Sequence, residues 1–595
     1  MPTLNWIGKD KVVNHHQDVP FRVLEHKYGF TAEKGEQSEQ TNSGNKIIHG
    51  DNLEALKSLL PEYKEKIDVV YIDPPYNTGQ ENWIYNDNVN HPKIKKWLGE
   101  VVGKDGEDLT RHDKWLCMMY PRLKLLNKLL SDKGVIFISI DDNEQNNLRY
   151  LCDATFGKNN FVTTFSWEKK KKGSHLDKSI TNVKEYIHTY CKDKKQFKGL
   201  IGEIVTKKET YPCINPGNAL SERVIPASVK SNYKKKNYSL NNGSVISVGN
   251  MSLLLKSDLI IENGLLKNDV IIESEWRYGQ DKINEFAETD ELYFTRDLYL
   301  RRNVTEPRYK KLKDFLPRVD NQQLFELKNK LIDLYEKQAD KTKIDELKEK
   351  ISNIETIGFV DFDINNLMSG GWGSNEDGDD ELRTIFGEKK FNFPKPTKLI
   401  SKLLASYRNT NAIILDSFAG SGTTAHSVLK LNNKDNGNRN FILIEMEDYA
   451  DNITAKRVKN VIEGYGNNAK IVEGIAGSFD YYELGQPIFK KDKNLNEQIG
   501  EEKIREYIYY TETKQHLLRK RKEEKKYLLD IFNETGYYFY YEKDKLTSLD
   551  IETLNIVTEQ SEQYIIYADY CLLDPDYMLK NSIIFKKIPR DIKRF

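Results

Sequence analysis

The sequence predicts an α/β protein: a doubly wound, mostly parallel sheet, divided in sequence by a long insert and followed by a C-terminal region of mixed character. Three observations predict it. Short, continuous, β-branched runs bounded by polar residues recur towards both ends of the chain, which is how strands buried on both faces read. Amphipathic helical stretches alternate with them. A region beginning near Phe165 breaks that rhythm with irregular aromatic and basic segments.

The runs are "IDVVYID" (Ile67 to Asp73), "GVIFISI" (Gly134 to Ile140), "NAIILD" (Asn411 to Asp416) and "NFILIE" (Asn440 to Glu445). Between the first two, Leu116, Met119, Leu123, Leu126 and Leu130 recur at helical spacing, and Gly134 is the expected stop. Later, "NQQLFELKNKLIDLYEKQADKTKIDELKEKISNIE" predicts two antiparallel helices turning near "ADKTK". The tail after Gly485 is rich in Tyr, Lys and Glu.

At 595 residues the chain is too long for one hydrophobic core, so two to four domains are expected. Charged residues make up 31%, mean hydropathy is −0.68, and no apolar run approaches the roughly 20 residues of a membrane span. With no signal-like start, a cytoplasmic protein is expected. The five cysteines are scattered without CxxC spacing and read as reduced thiols, not as disulfides or a zinc site. The net charge of zero hides a basic stretch: Glu168 to Lys236 carries 17 Lys/Arg against 7 Asp/Glu, a balance of +10. Such a stretch suits a polyanion or, equally, a solvated loop.

The first run leads straight into Asp73-Pro74-Pro75-Tyr76. In an open parallel sheet ligands sit outside the carboxyl ends of the strands, where this turn falls. Prolines stiffen it and, lacking N–H groups, leave nearby carbonyls free to accept from a ligand. A carboxylate, a carbonyl and an aromatic face presented together suit a planar group bearing an amine. The third run leads into "DSFAGSGTT", a Gly420-x-Gly422 turn opening a helix at Thr423 and Thr424. Glycines let backbone approach a ligand closely. The fourth run ends in Glu445, about twenty residues on, where an acid can hold ribose hydroxyls. A dehydrogenase is disfavoured by the missing third glycine.

Together, the DPPY and FxGxG motifs, in that order, resemble the β class of S-adenosylmethionine-dependent DNA amino-methyltransferases. The stretches "NWIGKDKVV", "IIHGDNLEALKSLLPEY", "DPPYNTGQENWIYND", "GVIFISIDDNEQNNLRYLCDATFG", "FNFPKPTKLISKLL" and "IIFKKIPRDIKRF" extend the resemblance to modification (Mod) subunits of type III restriction-modification systems. The resemblance implies a Rossmann-like methyltransferase core in two parts, residues 1–164 and 358–484. An inserted target-recognition domain would occupy 165–357, and an α+β domain 485–595, with dimer or partner contacts. It implies S-adenosylmethionine as cofactor, no metal, double-stranded DNA as substrate, a homodimer, and a separate helicase-nuclease subunit.

The same resemblance assigns the site. Asp73 and the Pro74 carbonyl would accept the two N–H groups of an adenine N6 amine and pull its lone pair out of the ring, with Pro75 stiffening the corner. Tyr76 would stack on the flipped-out base, worth roughly 1–3 kcal/mol against an extrusion cost of a few. Positioning against the sulfonium methyl supplies the larger share, up to about 7–11 kcal/mol. Asp416, Phe418, Gly420, Gly422, Thr423 and Thr424 would surround the methionine end of the cofactor, Lys395 and Pro396 would close over it, Glu445 would hold the ribose, and Asp51 with Asn52 would lie near its adenine. Asp51 reads equally as a helix N-cap before "LEALKSLL". Lys169, Lys170, Lys171 and Lys172 are expected to contact DNA phosphates. Cytosine N4 obeys the same hydrogen-bond logic; the leading aspartate favours adenine by family habit.

Other classes remain open at this level: an idle DNA-binding protein, a methyltransferase of RNA or of a protein amide, or an orphan methyltransferase with no nuclease partner. "LLDPDYML" (Leu572 to Leu579) only imitates the catalytic motif, "NEDGDDE" near Asp377 reads as a charged turn, and Glu346-Leu347-Lys348 falls on a predicted helix. No GxxxxGK[ST] phosphate loop occurs.

Overall fold

The computed structural model describes residues 4–78, 96, 111–170, 180–206, 209–249, 251–304, 306–319, 321–337, 340–355, 362–466, 471–490, 492–518 and 522–590. The chain divides into two compact units, one of residues 1–201 with 312–595, the other of 202–311.

The larger unit is organised on an eleven-stranded sheet. Its strands are β1 (Arg22–Thr31), β2 (Gly35–Gln37), β3 (Lys46–His49), β4 (Ile67–Ile72), β5 (Leu130–Ile140), β6 (Phe161–Glu168), β7 (Lys184–Cys191), β8 (Phe315–Leu316), β9 (Ile413–Asp416), β10 (Asn440–Glu445) and β11 (Ser478–Pro487). Their order across the sheet is β2-β1-β11-β3-β10-β9-β4-β5-β7-β6-β8. From β11 to β5 every pairing is parallel. The expected mostly parallel core is therefore present, and antiparallel pairs occur only towards its margins, β5 with β7, β7 with β6, β11 with β1 and β1 with β2.

The central runs are mostly apolar because both faces are covered. Ile48, Val70, Ile72, Ile136, Ile138, Ile442 and Ile444 enter one core, while their alternating neighbours Ile47, Val69, Val135, Phe137, Phe441 and Leu443 enter the other. Each fully buried side chain of this kind is worth about 1.5–3 kcal/mol. The first core is closed by α1 (Asn52–Tyr63) and α2 (Arg111–Leu129), the second by α3 (Thr397–Ser406) and α4 (Thr423–Asp435).

Gly134 does not stop α2. The helix ends at Leu129, and the chain turns directly into β5 at Leu130, which pairs with Ile67 before a bulge restores register at Val135 opposite Val69. Gly134 lies in that bulge, where a Cβ would sit 2.7 Å from Leu130 Cδ1 and 2.9 Å from the Ile67 carbonyl oxygen. The glycine answers a close strand contact rather than a helix end.

The expected insert, 165–357, is wider than the second unit. β6 and β7 belong to the large sheet, as does β8, and the two helices Asn321–Glu336 and Lys341–Glu355 fall within the larger unit. The second unit is β-rich: a four-stranded and a seven-stranded sheet, one helix (Gln280–Glu288), and a core that includes Leu253, Leu259, Ile272, Ile283, Phe294 and Leu300. Its lysine triplet Lys234, Lys235 and Lys236 is exposed.

Residues beyond Gly485 build a further four-stranded sheet (Leu528–Phe532, Thr535–Phe539, Gln563–Ala568, Ile583–Lys587) and a helix Glu501–Thr513, within the larger unit rather than as a separate one. Ile488, Ile504 and Phe539 there share a core with Phe21 and Val23. The expected charged turn near Asp377 is instead the start of a helix, Asn375–Phe386, closed by a Ser374/Asp377 capping box. All five cysteines are unpaired. Among the described residues no helix is long and apolar enough to cross a membrane.

Candidate active site

Adjacent parallel strands β4 and β9 end side by side, with Ile414 opposite Val69 and Leu415 opposite Val70. That register brings the two sequence motifs to one place. Asp73 and Tyr71 from the first, and Asp416, Phe418, Gly420, Thr423 and Thr424 from the second, line a common cleft with Phe391, Phe393 and Lys395.

At the first corner the Asp73 carboxylate accepts the Tyr76 hydroxyl on Oδ1 at 2.8 Å and the Lys395 ammonium on Oδ2 at 2.7 Å. The Pro75 carbonyl takes the Trp115 indole N–H at 2.7 Å, which ties the turn to α2. Among the described residues no donor reaches the Pro74 carbonyl. A second acid, Glu185 of β7, stands behind the first: its Oε2 lies 3.1 Å from the Tyr76 hydroxyl and 3.5 Å from Lys395 Nζ, and its Oε1 accepts from Lys169 Nζ at 2.8 Å. Two carboxylates thus face two ammoniums. Removal from water pushes the Asp73 carboxyl above its ordinary value, with Lys395 pulling it back. Burial acts upward on Glu185 too, but Lys395 and Lys169 outweigh it and hold that carboxyl below the usual range. Burial alone would lower Lys395; Asp73 and Glu185 outweigh it, and the ammonium is held more firmly than in water.

Lys395 is delivered by the loop before α3, with Pro396 extended at the helix cap. Gly378, inside the helix Asn375–Phe386, explains how that loop gets close: a Cβ there would lie 2.3 Å from the Pro394 carbonyl oxygen.

At the second corner Gly420 and Gly422 are left-handed, with φ of 52° and 80°. A Cβ on Gly422 would press to 3.0 Å on the Thr454 carbonyl oxygen. Asp416 accepts the Thr424 hydroxyl at 2.6 Å and the Phe418 N–H at 3.0 Å, and Glu445 accepts the Gly420 N–H at 2.7 Å and the Glu447 N–H at 3.0 Å. Both carboxyls are pushed up to about 7 by burial, only partly offset by those donors. Beneath the turn the guanidinium of the fully buried Arg457 donates to Thr423 Oγ1 at 2.7 Å and Ser421 Oγ at 3.0 Å and pairs with Glu381 at 3.3 Å.

Three of the expected positions are engaged within the protein. Asp51 caps α1, accepting from Leu53 N at 2.9 Å and Glu54 N at 3.2 Å, the capping alternative already open in the sequence. Asn52 is buried, donating to the Ser417 carbonyl at 3.0 Å and accepting from Arg122 Nε at 2.6 Å. Lys169, expected on DNA phosphate, is spent on Glu185; Lys170 is half-buried, and Lys171 and Lys172 lie outside the described residues. The residues that reading the sequence missed are Glu185, Phe391, Phe393 and Arg457. The two phenylalanines sit in "FNFPKP", two and four residues from Lys395, and could have been included with it. Glu185 and Arg457 carry no local signal, since only tertiary packing turns them inward.

Residues 67–456 match a family model described as DNA methylase. The chain is 31% identical over 476 residues to the Mod subunit of the type III restriction-modification enzyme EcoPI of Escherichia phage P1, covering 75% of this chain and 64% of that one. It is 29% identical over 437 residues to the StyLTI Mod subunit of Salmonella typhimurium, covering 70% and 54%. It therefore spans about half to two thirds of the length of these curated relatives. Among solved structures, a complex of M1.HpyAVI with SAM aligns loosely, at 14% identity and a TM-score of 0.27, over 69% of this chain and 98% of that one.

Proposed function

The chain belongs to the DNA methylase family, and we propose that it is a site-specific DNA methyltransferase. It would move a methyl group from S-adenosylmethionine to the N6 amine of a flipped-out adenine in duplex DNA, as the modification subunit of a type III system. The observation that supports this most strongly is the shared cleft, where an acid-proline-proline-tyrosine corner and a left-handed glycine turn meet through Lys395.

The residues fit the cofactor. The side-chain-free Gly420 and Gly422 leave a backbone cradle, and the buried Ser417 hydroxyl has no partner among the described residues. Glu445 offers a carboxylate for ribose hydroxyls, Phe418 and Phe391 offer apolar walls, and Lys395 with Pro396 closes the mouth. When bound, S-adenosylmethionine supplies a methyl carbon on a sulfonium sulfur: the amine lone pair takes the carbon, sulfur keeps the bonding pair, and the amine is left with a proton to shed. Asp73 and the Pro74 carbonyl each accept an N–H from the amine, which draws its lone pair out of conjugation and fixes its direction. Asp73 is also the nearest base for the shed proton. Tyr76 stacks on the base once the exchange of its hydroxyl partners lets the ring settle.

The second unit, with its exposed lysines, is the target-recognition module in this reading. A homodimer, a separate restriction subunit and a cytoplasmic setting belong to the same proposal; the relatives' names, Mod subunits of restriction-modification enzymes, support the restriction subunit alone. Calorimetry with S-adenosylmethionine, followed by transfer of labelled methyl to duplex DNA or to RNA, tests it. Micromolar binding and label on duplex DNA are expected. No binding would indicate an idle DNA-binding protein, and label on RNA alone would overturn the substrate.

A further inference from the structure

We propose that Glu185 is a positioning residue for methyl transfer, a reserve acceptor that takes over the Tyr76 hydroxyl and the Lys395 ammonium when Asp73 engages the substrate amine. This rests on the function proposed above and adds a role for a residue that neither motif contains.

The difficulty it resolves is visible at Asp73. An amine N–H needs one carboxylate oxygen at about 2.9 Å, accepting at full strength. In the structure both oxygens are engaged, one by a hydroxyl at 2.8 Å and the other by an ammonium at 2.7 Å. An acceptor already neutralised by a cation pulls weakly on a neutral amine. For Asp73 to pull at full strength the two competing donors need another partner, and an unpaired ammonium on the buried Lys395 is costly.

One atom serves both. Glu185 Oε2 is 3.1 Å from the Tyr76 hydroxyl and 3.5 Å from Lys395 Nζ, so shifts of a few tenths of an ångström complete either bond. Its carboxylate is anchored for that duty. Oε1 is held by Lys169 at 2.8 Å, Lys169 N–H is bonded to the Val183 carbonyl at 2.8 Å, and Glu185 is paired across the sheet with Trp167, itself fully buried and bonded to the Gly373 carbonyl at 2.9 Å. Only 4% of Glu185 is exposed, so a solvated surface acid is excluded. The titratable groups facing it are Asp73, Tyr76, Lys169 and Lys395, with Tyr71 of β4 and Asp141 on the β5 side nearby. Hand-over moves no proton between these residues; it exchanges one acceptor for another and leaves the charge count unchanged.

Glu185→Gln keeps the shape and one acceptor but removes the charge that balances Lys395. With the whole chain in excess over sites on unmethylated bacterial genomic DNA, and saturating S-adenosylmethionine, its single-turnover rate is expected to fall ten- to a hundredfold. Cofactor affinity should stay within threefold. The acid limb of the rate-pH profile should move to lower pH, because Lys395 then holds Asp73 alone. Glu185→Asp should recover part of the rate. If transfer by the Glu185→Gln variant stays within twofold of the parent, or if the rate falls with the acid limb unmoved, Glu185 is only structural and the proposal fails. Should that variant not fold, Glu185→Asp carries the test: a parental rate with a parental profile overturns the proposal. Absence of transfer by the unchanged protein would instead bring down the methyltransferase reading itself, and this inference with it.

Discussion

Two aspartates at the ends of neighbouring strands, Asp73 partly buried and Asp416 buried, are treated in opposite ways. Asp73, after β4, is met by a buried ammonium and backed by a second ion pair; Asp416, at the end of β9, is met only by a hydroxyl and a backbone N–H. Burial raises both carboxyls above their ordinary value; Lys395 pulls the first back, whereas the second, with no cation beside it, is pushed up to about 7. The difference teaches how one sheet edge can serve two ligands. In the function proposed above, charge would be concentrated where an amine is pulled and diluted where a cofactor is seated.

The strongest way to break that contrast is Asp73→Asn beside Asp416→Asn. The first should cost on the order of 10²–10⁴-fold in single-turnover transfer, the size typical of a positioned polar catalyst. The second should weaken S-adenosylmethionine binding, read by calorimetry, while transfer at saturating cofactor drops less than about tenfold. Equal losses in transfer would erase the distinction.

Removing the cation comes next. Lys395→Met leaves Asp73 and Glu185 with Lys169 alone, and breaking such a buried pair costs about 3–5 kcal/mol, which denaturant titration would read. The acid limb of transfer should move to higher pH in this variant, opposite to its shift in Glu185→Gln. Arg457→Met, which removes the cation paired with Glu381 and a donor to the Thr423 and Ser421 hydroxyls, should be similarly destabilising but leave the acid limb in place.

A smaller effect tests the uncharged corner. The Glu445 carboxyl sits at about 7 in the folded protein, above its ordinary value of 4.5, so the folded state binds the proton more tightly. Its contribution to stability is present below the unfolded value and is lost as pH rises through about 7. Glu445→Gln removes that dependence, so melting curves of the ligand-free variant should gain on the parent by about 2–3 kcal/mol between acid and pH 8. A constant offset across pH would place the carboxyl at an ordinary value.

The smallest change expected is at Lys170. Alanine there should reduce DNA affinity only a few-fold and lower the salt slope by about one. Lys169→Ala should touch transfer more than affinity, since its ammonium is committed to Glu185.

The core was legible because strands buried on both faces are apolar at most positions, which is why Ile67, Val69, Val70 and Ile72 stand out. The corners were legible because prolines and left-handed glycines constrain backbone locally. Legibility failed where packing decided. Gly134 looks like a helix stop but answers a bulge against Ile67, and Asp377 looks like a turn but caps a helix. The expected insert starts inside β6, because β6 and β7 flank a lysine-rich stretch of sequence whose charge masks two strands of the main sheet. Its own sheets were missed because their strands are short and half-exposed, as in Ser221–Ile225 and Met251–Leu255. Glu185 could not be read at all: a single acid in a strand acquires meaning only when Lys169 and Lys395 are brought to it.

The most direct measurement is nucleoside mass spectrometry of DNA from cells expressing the chain, with and without Asp73→Ala. N6-methyladenine in the first and none in the second is the predicted result. N4-methylcytosine in its place, or N6-methyladenine that persists without Asp73, would contradict the account.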